Sequence, residues 1–452
     1  MRKLFCVIVA TSFALTDFAS AQYLEKMGRV EREEYGAVPM PPGFRIMATE
    51  IEGPVFADQR GRTLYFWPRT QLRNGITGDE KNSSRCTNVV STHTAGLMSP
   101  YPPGLELPEL SARPSCADVW LPALASEGAR PVGSFSIFLR EDGRRQWAYL
   151  EHALYTSRLD VLPGDVMAAS SRERGGDSPA LRVVAAAPVA VPPGFRVMTT
   201  ATGRLLTTEK GFSVYSFEGD GRRVSKCKNE CVREWSPVLA PVTARSFGEW
   251  SSFERSSGVL QWSYRGKPLY THNNDPEQAS LQGGDVPGWR NVYTQTAPSP
   301  PSEFTEQDAS SGVVLADKSG KTIYTYSCAD DSMDQLDCAH PGSPQAYRLA
   351  ICGGGDHVRC IRDWPYVVAS PKARDTSRTW RVIEINAVTG RLAAKGGKDA
   401  LRVWTYMGVP VVTYRGDKKP GDIFGHGAGE FAGRRNGFRA FFLRDDYFNA
   451  AN

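Results

Sequence analysis

The line Trp262-Ser263-Tyr264-Arg265-Gly266-Lys267-Pro268-Leu269-Tyr270, trailed by Asp275 and Gly284-Asp285, has two further copies in the chain. The earlier one reads Trp147-Ala148-Tyr149, Ala153-Leu154-Tyr155, Asp160 and Gly164-Asp165. The later one reads Trp404-Thr405-Tyr406, Gly408-Val409-Pro410, Asp417 and Gly421-Asp422. A second line precedes each of these. It places Tyr65, Tyr215 or Tyr324 two residues before another aromatic, then a Cys-x-x-x-Trp ending at Trp120, Trp235 or Trp364. Self-similarity at this scale means one supersecondary unit used repeatedly, so it settles architecture before any local reading does.

Each copy divides into a half A around the first tyrosine and a half B around the tryptophan line. In Leu64-Tyr65-Phe66-Trp67 and Val214-Tyr215-Ser216-Phe217, the tyrosine and the aromatic two residues later share one strand face. The preceding Gly-containing segments are hairpin turns, as are Asp142-Gly143 and Ser257-Gly258. With 43 glycines and 31 prolines among 452 residues, short strands and tight turns are favoured over helices. The expectation is an all-β protein of three tandem units, at 40–175, 190–297 and 300–445, each made of two β-meander half-repeats. One six-bladed propeller-like assembly is the alternative. Separate units are preferred because 183–193 and 296–301 read as Pro- and Ala-rich linkers.

Residues 1–21 read as a signal peptide: Arg2 and Lys3, an apolar stretch Leu4–Leu15, and Ala19-Ser20-Ala21 before Gln22. The apolar stretch is too short to span a membrane, and there is no lipidation box, so a soluble periplasmic or secreted chain is expected. Of nine cysteines, Cys6 leaves with this segment. Cys86, Cys116, Cys227, Cys231, Cys328, Cys338, Cys352 and Cys360 remain, and an even set in an exported chain reads as disulfides. Equivalent places in the three A halves pair Cys86 with Cys116, Cys227 with Cys231 and Cys338 with Cys360. That leaves Cys328 to Cys352. The formal net charge of +5 is spread among acidic residues, so no nucleic-acid surface is implied.

These residues resemble a known family, the secreted repeat of unknown function seen in bacterial predicted lipoproteins with a Tyr-x-aromatic-x-x-Asp motif. Tyr215-Ser216-Phe217-Glu218-Gly219-Asp220 matches that motif in full. At the first copy Thr70 stands at the aspartate's place, and at the third Asp330 is displaced by one. Gln261 to Tyr270 with Gly284-Asp285 fits the second-half signature. The resemblance is strongest over 191–290 and implies a bacterial periplasm; it implies no activity.

The paired acids Asp160 and Asp165, Asp275 and Asp285, and Asp417 and Asp422 could hold a cation or act as acid and base. Three copies at one topological place favour turn-closing aspartates instead, since a catalytic pair is needed only once. The recurring Tyr and Trp residues are expected to pack the core, with a stacking platform for a planar ligand as the sharper reading. The histidines form no recognised motif, and Gly353-Gly354-Gly355 reads as a loop and not a phosphate cradle. No catalytic constellation and no cofactor or metal site is found. The expected role is a non-catalytic binding or scaffold protein for a periplasmic protein or small ligand. Specificity would reside in the inserts of the first and third copies, and the second copy would be the most scaffold-like. A periplasmic electron-transfer or cofactor-binding protein is the alternative.

Overall fold

The computed structural model describes residues 33–72, 75–89, 114–168, 183–328, 340–343, 345–429 and 436–445. The expected signal peptide with Cys6, most of the Cys86–Cys116 insert, and Cys338 lie outside the described residues. The protein is all-β, and the described residues form small antiparallel sheets with four short α-helices and one 3-10 turn.

The second copy shows the unit most completely. Strand Phe195–Thr200 pairs with Gly203–Thr208, which pairs with Tyr293–Thr296. A four-stranded sheet runs in the order Trp235–Pro237, Tyr270–His272, Tyr215–Phe217, Trp289–Asn291. A third sheet joins Leu239–Ala240, Val259–Tyr264 and Trp250–Ser256. The first copy repeats the four-stranded order with Trp120–Pro122, Tyr155–Ser157, Tyr65–Phe66 and Val183–Val184. Half A and half B therefore exchange strands: Tyr215 of half A pairs with Tyr270 and with Asn291, both of half B. Neither half closes on its own, so the halves do not act as six independent blades. No sheet among the described residues closes into a barrel.

One stretch expected as linker is structural. Val183–Val184 adds a strand beside Tyr65–Phe66, and Ala185 N–H donates to the Leu64 carbonyl. Ala185 and Ala187 are buried there. Alanine and valine runs suit such a covered edge as well as they suit a linker, which is why composition misled.

The same core recurs in each copy. Phe195, Leu206, Val214, Trp250, Trp262, Leu269 and Val292 form it in the second. Phe56, Leu64, Phe135, Trp147, Leu154 and Ala185 form it in the first. Phe304, Leu315, Ile323, Trp380, Trp404, Val411 and Phe441 form it in the third. Trp147, Trp262 and Trp404 are all buried. Burying an indole removes some 150–250 Å² from water, so each anchors its sheet.

The copies are joined by buried polar contacts. Gln295 Nε2 of the second copy donates to the Thr49 and Glu50 carbonyls of the first, at 2.7 and 2.8 Å. Glu50 accepts from the Arg378 and Thr379 amides of the third at 3.0 and 2.9 Å. Glu33 holds Arg204 at 3.1 Å, and Asp165 holds Arg381 at 3.0 Å.

Candidate functional site

The repeated tyrosines and aspartates of the two halves meet. Tyr65 Oη donates to Asp160 Oδ2 at 2.7 Å, Tyr215 Oη to Asp275 Oδ2 at 2.9 Å, and Tyr324 Oη to Asp417 Oδ2 at 2.7 Å. Each tyrosine ring also meets the tryptophan of its half edge-on. The centroid separations are 5.4 Å to Trp120, 5.3 Å to Trp235 and 5.4 Å to Trp364. The other carboxylate oxygen accepts a backbone amide in two copies, Met167 on Asp160 and Phe424 on Asp417. In the second copy His272 Nδ1 lies 3.1 Å from Asp275 Oδ1. Burial raises all three carboxyls, Asp160 up to about 8. It likewise raises the phenols of Tyr65, Tyr215 and Tyr324.

The reverse pairing, half B tyrosine to half A aspartate, exists in two copies. Tyr270 Oη donates to Asp220 Oδ2 at 2.7 Å and lies 2.7 Å from Ser225 Oγ. Tyr155 Oη does the same with Asp79 Oδ2 and Ser84 Oγ, both at 2.7 Å. So the first copy's aspartate is Asp79, and Thr70 is not its substitute. The hairpin Thr70–Leu72/Gly75–Thr77 was inserted ahead of it. The shared spacing Asp79-x-x-x-x-Ser84-Arg85-Cys86 and Asp220-x-x-x-x-Ser225-Lys226-Cys227 carries the signal that the sequence reading missed. Behind this pair an arginine ties the network together. Arg255 donates to Gln261 Oε1 at 2.9 Å, to Ser225 Oγ and to the Cys227 carbonyl. Arg140 makes the same contacts with Gln146, Ser84 and Cys86.

The second acid of each expected pair closes a turn in two copies. Val161 and Leu162 amides donate to Asp165 Oδ2, and Lys418 and Lys419 amides to Asp422 Oδ2. Asp285 is not their counterpart. Thr63 Oγ1 donates to the Asp165 carbonyl and Thr322 Oγ1 to the Asp422 carbonyl, but Ser213 Oγ donates to that of Ser280. Ala279 takes the positive φ of Gly164 and Gly421, at 55° against 78° and 80°. Ala279-Ser280 thus replaces Gly-Asp, and the connection that follows is the shortest of the three: 11 residues from Ser280 to Asn291, against 19 from Asp165 to Val184 and 18 from Asp422 to Ala440. Gly284-Asp285 lies within that shortened connection and matches the Gly-Asp of the other copies by residue type alone.

The disulfides Cys86–Cys116 and Cys227–Cys231 are present. Cys360 bonds to Cys352 and not to Cys338, which overturns the pairing expected for the third copy. Helix α1 (Cys116–Val119), helix α2 (Cys231–Glu234) and the longer α4 (His357–Asp363) all run into the repeated tryptophan. Among the described residues only α4 is preceded by another helix, α3 (Ala346–Gly353), which ends at Gly354 in the left-handed conformation. This fold-back brings the Cα atoms of Cys352 and Cys360 to 4.7 Å. Cys328 is also disulfide-bonded.

A cavity of about 330 Å³ lies between the second and third copies. Its wall includes Thr202, Leu281, Gly284, Asp285, Asn291 and Tyr293 of the second copy, the link 297–300, and Glu306, Val313, Leu443 and Arg444 of the third. Asp285 and Arg444 form an ion pair at its edge. Thr202 Oγ1 and Tyr293 Oη are 2.8 Å apart.

No curated protein and no solved structure matches the chain significantly. Residues 196–239 match the family model described as a secreted repeat of unknown function. That span covers half A of the second copy, from its first strand through Tyr215, Asp220, Cys227, Cys231 and Trp235. At 196–239 the chain carries the secreted repeat of unknown function.

Proposed function

We propose that this chain is an exported, non-catalytic binding or scaffold protein of the periplasm, with specificity residing in the inserts of its first and third copies. One observation carries the reading. The tyrosines and first aspartates of the repeat satisfy one another inside the fold, the same way in each copy that has them. Groups saturated by internal hydrogen bonds are not poised for proton transfer to a substrate. Among the described residues no helix is long and apolar enough to cross a membrane.

The insert between Cys86 and Cys116 is pinned at both ends by a disulfide, so it can vary without opening the core. The test replaces 90–112 by a short Gly-Ser linker and keeps Asp79, Ser84 and both cysteines. Removing the whole of 69–111 would instead strip Tyr155 of its partners. Chemical cross-linking in periplasmic fractions is the readout. A discrete adduct should form with the full chain and vanish with the shortened one, at an unchanged melting temperature. An adduct that survives the shortening but is lost in Trp262→Ala, with folding intact, would favour an aromatic platform. Visible absorbance of the purified chain would favour the electron-transfer reading.

A further inference from the structure

The residues around the cavity between the second and third copies are departures from the repeat. Gly284 and Asp285 lie in the connection from Ser280 to Asn291, which takes 11 residues where the first and third copies take 19 and 18. Asn291 pairs with Tyr215 where Val184 pairs with Tyr65 and Ala440 with Tyr324. Its Nδ2 is sealed from solvent with no protein acceptor. The link 297–300 forms another side. A scaffold copied three times has no packing reason to differ in just these places. The second copy, the plainest by motif, is therefore the one that builds a pocket.

We infer that this cavity is a binding site for a small zwitterion, an α-amino acid or dipeptide, a site separate from the inserts and independent of their role. Its volume of about 330 Å³ sits at the small end of ligand pockets, which run from roughly 300 to 1,000 Å³. The charges on its wall are one guanidinium, Arg444, and two carboxylates, Asp285 and Glu306. Arg444 is largely covered, at 22 % exposure, whereas its partner Asp285 is 62 % exposed. An ion pair with one end in water contributes only about 0–1 kcal/mol, so a ligand opens it cheaply. A ligand carboxylate takes the planar fork of Arg444. The ligand ammonium takes Asp285, released by that exchange, together with Glu306. A molecule carrying both charges gives Arg444 a bidentate partner while its ammonium joins Asp285 and Glu306; acetate would strand Asp285, and an alkylamine, which leaves the Arg444–Asp285 pair closed, meets the single exposed carboxylate of Glu306. Leu281, Val313 and Leu443 offer apolar wall to a side chain.

The test is calorimetric titration of the purified mature chain with the standard amino acids and a set of dipeptides, beside acetate and ethylamine as single-charge controls. At least one zwitterion should bind and the controls should not. Glu306→Gln, at an exposed position, should weaken binding by roughly tenfold or more, as for loss of a charge-assisted contact. Arg444→Met should abolish it. Should Arg444→Met loosen the junction, Val313→Phe fills the cavity from the side and should also abolish binding at an unchanged melting temperature. If no zwitterion binds at millimolar concentration, or if binding survives both Glu306→Gln and Val313→Phe, the inference is wrong. Either result leaves the insert experiment unaffected.

Discussion

Tyr270 donates its hydroxyl to Asp220 at 2.7 Å, and Val412 stands at the place of Tyr270 in the third copy. The replacement is collective. Val403 stands for Gln261 and Ile385 for Arg255, and all three apolar side chains are buried in one cluster. A buried polar network is stable when complete and costly when half-made. The third copy therefore swaps several members together, while the first and second keep them. Tyr270→Phe should cost about 1–3 kcal/mol, because it leaves Asp220 Oδ2 buried without its donor while Oδ1 keeps the Lys226 amide. Urea denaturation measures this. Val412→Ile should change stability much less, since that site holds no polar partner.

Asp160 gives a pH dependence of unusual sign. Burial raises its carboxyl to about 8 in the folded chain, against about 3.9 for an unfolded aspartate. Between these values the folded state holds a proton that the unfolded state has lost. Stability from this group is thus full below about 4 and declines as pH rises toward 8. Asp160→Asn mimics the neutral acid and still offers an oxygen to Tyr65. The variant should lose less stability than the parent between pH 5 and pH 8, as read by thermal unfolding at both. An identical pH response in both proteins would show that Asp160 is ionised throughout.

The tryptophan line and the tyrosine pairs were legible because large aromatics at fixed spacing leave few ways to pack. Two partners were not legible. Asp79 was hidden behind an inserted hairpin, which moved it without changing its job. Ser280 was hidden because a serine can present the same carbonyl to Ser213 that an aspartate presents to Thr63, and only the hydrogen bonds reveal the equivalence. The pairing of Cys360 required α3, a helix too short for its apolar period to stand out. Contacts between copies, such as Glu50 with Thr379, join residues so distant in sequence that no local pattern predicts them.

The disulfide arrangement predicts a peptide map. Digestion without reduction should link Cys352 to Cys360 and should yield no Cys338–Cys360 peptide. The closed loops differ in length, with separations of 4, 8 and 30 residues for the second, third and first copies. By loop entropy the contributions rise from about 2 kcal/mol for the shortest to about 3.5 kcal/mol for the longest. Alanine pairs replacing each disulfide in turn should lower the melting temperature in that order. The Cys86–Cys116 variant should suffer most.

Glu50 gives the test of whether the three copies act as one body. It sits in the turn after strand Arg45–Ala48 and is buried. Its two carboxylate oxygens take the Arg378 and Thr379 amides and the Thr379 hydroxyl, while Gln295 grips its carbonyl from the second copy. One residue of the first copy thereby bonds to both others. Glu50→Ala leaves two amides of the third copy without acceptors, at a cost of about 2–4 kcal/mol. That loss falls on the junction and not on any one core. Calorimetry should then show one unfolding transition for the parent and two for the variant, with the first copy melting apart from the third. Glu50→Gln keeps one acceptor oxygen and should fall between them. A Glu50→Ala protein that still melts in one transition at the parent temperature would mean that the copies are held together by other contacts.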